Sequence, residues 1–208
     1  AGIRGETVDR SFIEKNIVRA ADQVKAPLME EAILKARQEK DSVGGIVHLN
    51  ISGCPAGLGD PVFFKLDARL AMALFSIGAV KGVEVGAGFA AARMRGSENN
   101  DPMRDNKFLA NNAGGIIGGI STGEEIFLRV AIKPTPSIAR EQETVDTCGN
   151  NRTIIIEGRH DPCIVPRVVP VIESMAALVI LDAMEICERI GRRTERANEL
   201  SEEESDEI

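Results

Sequence analysis

The sequence predicts a mixed helix-and-strand protein, on three observations. Apolar residues recur at helical spacing near both ends of the chain, short β-rich runs lie between them, and loops rich in Gly, Pro and Asn join the two kinds of segment. The 208 residues are 43 % hydrophobic, enough to bury one sizeable core. One large domain over residues 1–195, followed by an acidic tail over 196–208, is the expected organisation.

Taken in order, Val8, Phe12, Ile13, Ile17, Ala20, Ala21 and Val24 fall at helical spacing, and Pro27 opens a second helix to about Glu39. Asp41-Ser42-Val43-Gly44-Gly45 breaks it. The glycine-bounded run from Ile46 to Ile51 predicts a strand, the segment from Gly53 to Gly59 a loop, and the residues from about Pro61 to Phe75 a helix. Two β-like runs follow, Ala79 to Val85 and Phe89 to Met94, then a long polar loop from Arg95 to Asn112. A glycine-rich turn over Gly114 to Gly119 leads to a strand from Ile126 to Ile132. Thr153-Ile154-Ile155-Ile156 is the strongest strand signal, and Ile172, Met175, Ala176, Val179 and Met184 mark a long helix from about Val168 to Ile190. From Glu199 onward Glu, Asp and Ser dominate, which predicts disorder because so little apolar area is available to bury.

Composition excludes several function classes. A formal charge of −7, with Lys and Arg dispersed along the chain, argues against a nucleic-acid partner. The four cysteines form no C-x-x-C pair and only His48 and His160 could join them, so no metal site is expected and the thiols read as reduced. The apolar stretch from Met175 to Leu181 is too short to span a bilayer and the first residues carry no signal pattern, so a cytoplasmic protein without membrane contact is expected. Aromatic residues are 3 % of the chain and all are Phe, so a planar ligand would rest on backbone and aliphatic groups. The first residue is not Met, which suggests a chain processed or cut from something larger.

Four segments could carry chemistry. Lys133-Pro134-Thr135-Pro136-Ser137 closes a strand with a cation, two hydroxyls and two prolines that pre-set the backbone, which suits a rigid phosphate loop; an ordinary Pro-rich turn is the alternative. Gly158-Arg159-His160-Asp161-Pro162-Cys163 places a guanidinium, an imidazole and a carboxylate side by side, able to bind an anion and move a proton, or else to form a capping turn. The glycines of Asn111 to Ser121 allow backbone to approach a flat or anionic ligand, though a tight hairpin needs them for sterics alone. Ser76-Ile77-Gly78-Ala79-Val80-Lys81-Gly82 is small-residue-rich and could take a ligand ring or simply pack a helix on a strand. His48 reads as a strand histidine.

Together these segments resemble the chorismate synthase family, through motifs that occur in the family's order: Gly53 to Phe63, Ala79 to Glu84, Asn112 to Ile116, Gly118 to Gly123, Lys133 to Ile138 and Gly158 to Cys163. The resemblance runs from about Pro27 to about Ile190. It implies an α+β fold with long helices sandwiched between antiparallel sheets, here incomplete, commonly assembled as a homotetramer. The implied reaction is anti-1,4 elimination of phosphate from 5-enolpyruvylshikimate 3-phosphate to give chorismate, in the shikimate pathway to the aromatic amino acids. Reduced FMN is required without net redox change.

The family's FMN-binding positions would fall on Gly78, Ala79, Gly118, Lys133, Pro134, Thr135, Pro136, Ser137 and Arg159. Gly78 departs from the Asn of relatives. Arg159 would also meet substrate, Asp161 would help the flavin accept the proton, and His160 has no assigned role. The family's amino-terminal segment, with two histidines and several substrate-binding arginines, has no counterpart here, so the expectation is a carboxy-terminal part that is inactive alone. The alternative is a non-catalytic flavin- or phosphate-binding module, or an oligomerisation module. Some relatives carry an NADP-dependent flavin reductase activity; nothing here looks like a nicotinamide-binding unit, so an external source of reduced flavin is expected.

Overall fold

The computed structural model describes residues 2–205. By internal contacts the chain divides into two compact units, one formed by residues up to 47, 77–82 and 130–171, the other by 48–76, 83–129 and 172 onward. The fold is α+β.

The first unit opens on a 3-10 helix, Arg10–Lys15, and helix α1, Lys25–Gln38. A longer first helix is what the apolar spacing predicts, and Asn16 explains its absence. Its Nδ2 donates to the Phe12 and Ala20 carbonyls at 2.8 and 2.9 Å, and its Oδ1 accepts the Ala20 N–H at 3.0 Å, so a side chain competes for the groups a helix would use. Arg19 then sits at φ 53, and Val8, Ile17 and Val24 are 70 to 78 % exposed rather than forming a buried stripe. Helix α1 begins where Asp22 takes over as its cap, accepting the N–H groups of Val24 and Lys25, both at 2.9 Å. The same carboxylate accepts the N–H of Glu6 at 2.7 Å and of Thr7 at 3.0 Å, pinning the amino-terminal segment to the helix start.

A three-stranded sheet has the order β1-β7-β2, with β1 at Gly45–Ile51, β2 at Val80–Val85 and β7 at Ile126–Ile132. Each strand has one end in each unit. In the first unit the Lys133 N–H donates to the Ala79 carbonyl at 2.9 Å, and in the second the Gly86 N–H donates to that of Phe127 at 3.1 Å, so β2 and β7 run antiparallel. Strand β1 is likewise antiparallel to β7. Gly44 lies so close to the Ile132 carbonyl that a Cβ would collide with it, and at the other end Asn50 and Ser52 donate to the Glu125 carboxylate at 3.0 and 2.9 Å. Ile126, Leu128, Val130 and Ile132 are buried in strict alternation along the central strand, the period-2 pattern of a sheet with one face on a core.

In the second unit, helix α2 (Leu66–Phe75) buries Leu66, Leu70 and Leu74 completely, one per turn. Phe89 to Met94 is a 3-10 helix, Gly88–Arg93, and not a strand: the Glu84 carboxylate accepts the Phe89 N–H at 2.9 Å and turns the chain immediately after β2. The long polar segment holds a one-turn helix α3, Gly96–Asn99, and a hairpin of β3, Met103–Arg104, with β4, Lys107–Phe108. A second hairpin pairs β5, Ile116–Ile117, with β6, Ile120–Ser121.

The Ile-rich segment forms β9, Asn151–Ile154, paired antiparallel with β8, Gln142–Val145. Ile154, Ile155 and Val145 are about half exposed, so β-propensity located a strand that is not a core strand. The last helix, α4, runs Val165–Ser205 and buries Val168, Ile172, Ala176, Ile180 and Ala183 on one stripe. It includes the first ten residues of the acidic segment 196–208, whose last three lie outside the described residues.

Candidate functional site

In the first unit, one short linker holds two of the motif loops. Ser42 Oγ donates to the Thr135 carbonyl at 2.6 Å, and the N–H of the next residue, Val43, donates to the Pro162 carbonyl at 2.8 Å. The loops 133–137 and 158–163 are thus anchored to adjacent residues, whose Cα atoms are about 3.8 Å apart. Asp41 Oδ2 pairs with Arg140 Nη1 at 2.7 Å and Oδ1 accepts the Ser42 N–H at 2.8 Å. The Ser42 N–H and the Arg140 guanidinium hold the Asp41 carboxyl below the usual carboxylate range.

The loop at 133–137 begins where β7 ends. The Lys133 backbone is fixed by its bond to Ala79, and Ala79 itself is at φ 73, a left-handed conformation that costs an alanine roughly 1–2 kcal/mol. Strain of that kind, held by a strand end, gathers at functional positions. Gly78 beside it is exposed with open space around its α-carbon. Lys133, Thr135 and Ser137 are half-buried, while Pro134 and Pro136 are exposed. Thr135 Oγ1 is buried yet has no hydrogen-bond partner. Among the described residues neither Lys133 nor Arg159 has a carboxylate partner.

In the second loop Arg159 is exposed, and His160 and Asp161 are half-buried. Asp161 Oδ2 receives Arg167 Nη1 at 2.8 Å, from the first turn of α4. His160 Nε2 is buried without a partner. Burial pushes the Cys163 thiol up, and it does the same to Cys54 in the second unit, so neither thiol is set up as a thiolate nucleophile at neutral pH.

Gly118 belongs to the second unit, on the exposed turn between β5 and β6, at φ 63 and with nothing near its α-carbon. Its neighbours are different. Gly114 and Gly86 are packed backbone to backbone so tightly that a Cβ on either would collide with the other segment, so Gly114 serves sterics. Ser121, buried, donates from Oγ to the Pro55 carbonyl at 2.6 Å and accepts the Leu58 N–H at 2.8 Å, which moors the loop from Gly53 to Gly59. His48 lies on the exposed face of β1.

Ser42, Arg140 and Arg167 carry no motif in the sequence, and each meets a partner through tertiary structure. Ser42 and Thr135 are 93 positions apart, beyond any local pattern; the polar Asp-Ser pair before Gly44-Gly45 is the only available hint. Each unit has a cavity. The first unit has an apolar one of about 90 Å³ lined by Ile33, Gly45, Cys163 and Val165, too small for a cofactor, and the second has one of about 490 Å³ lined by Phe64, Arg69, Ile186 and Ile190. A phosphate needs cations and donors on a preset loop rather than an enclosed cavity, so the linked loops are the better candidate.

A family model described as chorismate synthase matches residues 3–185. Chorismate synthase of Syntrophobacter fumaroxidans is 53 % identical over 184 residues, covering 88 % of this chain and 52 % of that protein. Those of Chloroflexus aurantiacus and Methanosarcina acetivorans are 52 and 59 % identical, covering 93 and 83 % of this chain and 54 and 48 % of their own length. A crystal structure of chorismate synthase superimposes with a TM-score of 0.69 at 30 % identity, covering 84 % of this chain and 47 % of the solved one. The chain spans about half the length of the curated relatives it matches. With a family match over most of its length and a fold shared with a solved member, the chain belongs to the chorismate synthase family.

Proposed function

We propose that this chain supplies the flavin-phosphate loop and the proton-handling loop of a chorismate synthase. The reaction is the anti-1,4 elimination of phosphate from 5-enolpyruvylshikimate 3-phosphate to chorismate, with reduced FMN as cofactor. The observation that carries the reading is the buried, unpartnered Thr135 hydroxyl on the loop that also bears Lys133, a cation without a carboxylate partner among the described residues.

These residues fit the group. Lys133 offers charge to a phosphate monoester, Thr135 and Ser137 offer hydroxyl donors, and Pro134 and Pro136 fix the loop so that little entropy is lost on binding. Gly78 and Ala79 offer backbone without bulky side chains to the flavin's flat portion. Reduced FMN supplies reversible electron density while the phosphate leaves and the proton is lost. Arg159 would meet the negative charge of the departing phosphate or of a substrate carboxylate, and Asp161, oriented by Arg167, would help the flavin accept the proton. The assembled enzyme is a cytoplasmic homotetramer with an external supply of reduced flavin, without nucleic-acid or membrane partners. No helix among the described residues is long and apolar enough to cross a membrane.

The test is anaerobic phosphate release from 5-enolpyruvylshikimate 3-phosphate with reduced FMN. The chain is assayed alone and together with a polypeptide covering the half of a relative that it does not span. Turnover that needs both polypeptides is expected, and Asp161→Asn should lower it by about 10²–10⁴-fold. Absence of turnover with both present would return the chain to the binding-module reading.

A further inference from the structure

The sequence leaves His160 without a role, and the structure leaves its Nε2 buried without a hydrogen-bond partner. A buried polar atom of this kind costs free energy unless something satisfies it. The first unit contains a second such atom, Thr135 Oγ1, and the loops that carry the two are bonded to neighbouring residues, Ser42 and Val43. Gly158 accounts for the ring's position. It is at φ 137, and a Cβ there would press to 3.3 Å from His160 Nε2, so the loop accommodates an imidazole folded back over its own backbone. Neither neighbour satisfies the imidazole: Arg159 is exposed and Asp161 is paired with Arg167.

Two unsatisfied polar atoms on loops sharing an anchor, with two cations on the same loops, Lys133 and Arg159, that have no carboxylate partner among the described residues, describe a place for an anion rich in acceptor oxygens. We propose that His160 is a binding residue of this site, its Nε2–H donating to an oxygen of the phosphate monoester that also accepts from Thr135 Oγ1. The inference rests on the phosphate-binding reading above and extends it to a residue outside the lysine-proline-threonine loop. The phosphate belongs to a flavin mononucleotide or to a phosphorylated substrate, which share this chemistry.

The experiment is histidine long-range ¹H–¹⁵N spectroscopy on the 208-residue chain, which holds two histidines, with His48→Gln used to assign the signals. The additions are FMN, riboflavin, and 5-enolpyruvylshikimate 3-phosphate. A shift of His160 Nε2 with FMN but not riboflavin supports the proposal and assigns the flavin phosphate; a shift with the phosphorylated substrate alone supports it and assigns that phosphate. In parallel, His160→Leu should weaken phosphate-ligand binding about 5- to 100-fold, and His160→Gln, which keeps a donor near Nε2, should bind within about 3-fold of the parent. Binding by the parent with no Nε2 response and an unaltered His160→Leu overturns the role of His160 and leaves the function standing. A Nε2 response to riboflavin equal to that with FMN overturns the phosphate assignment. No binding of any of the three ligands overturns both readings.

Discussion

Asp22 shows how much one side chain can organise. Its carboxylate accepts four backbone N–H groups, those of Glu6 and Thr7 from the amino-terminal segment and those of Lys25 and Val24 at the start of α1. These bonds, with Glu6 and Thr7 contributing most, hold the carboxyl far below the usual carboxylate range. Because the folded value is depressed, the stabilisation is complete above the unfolded carboxylate value of about 3.9 and is lost as pH falls through the folded one. Asp22→Asn should therefore lower Tm at pH 7 and flatten the loss of stability below about pH 4, which thermal melts from pH 7 to pH 2 would measure. An unchanged Tm at pH 7 would mean that the amino-terminal segment is held by other contacts. Neither this residue nor Asn16 announces itself in the sequence, because each acts by bonding backbone groups that only the folded chain brings within reach.

Periodic burial made some elements legible and side-chain competition hid others. Helix α1, helix α2, strand β1, strand β7 and the core of α4 lie close to where the sequence puts them, and burial follows the 3.6- or 2-residue period in α2, β1, β7 and α4. The run after β2 misled because Glu84 caps a 3-10 turn there, and the run at 153–156 misled in a different way, since β9 ends at Ile154 and neither Ile154 nor Ile155 is buried. Helix α4 carries the sharpest packing prediction. Ile172 is fully buried and Leu178 is 61 % exposed on the same helix. Ile172→Ala should cost about 2–5 kcal/mol and Leu178→Ala within about 0.5 kcal/mol, measured by urea unfolding. Equal costs would mean that the buried stripe does not hold the helix.

At the scale of the whole molecule, the family could be read from the ordered motifs, but what ties two of the motif loops to one anchor could not. Lys133 to Ser137 and Gly158 to Cys163 are more than 20 positions apart, and it is a third segment, Ser42-Val43, that anchors both. Gly118, proposed as a cofactor contact, and Gly114 also look alike in sequence, and only the packing separates the open turn from the steric one. The chain carries these features in about half the length of its relatives, so ligand binding by this part is the property that bears most directly on what it contributes. The deciding measurement is a fluorescence titration of FMN and of riboflavin with the 208-residue chain, with Lys133→Ala and Thr135→Val alongside. The account predicts saturable FMN binding, weaker riboflavin binding, and a loss of about 10- to 100-fold in FMN affinity for Lys133→Ala. Equal affinity for FMN and riboflavin, or no effect of Lys133→Ala, would contradict a phosphate site on this loop.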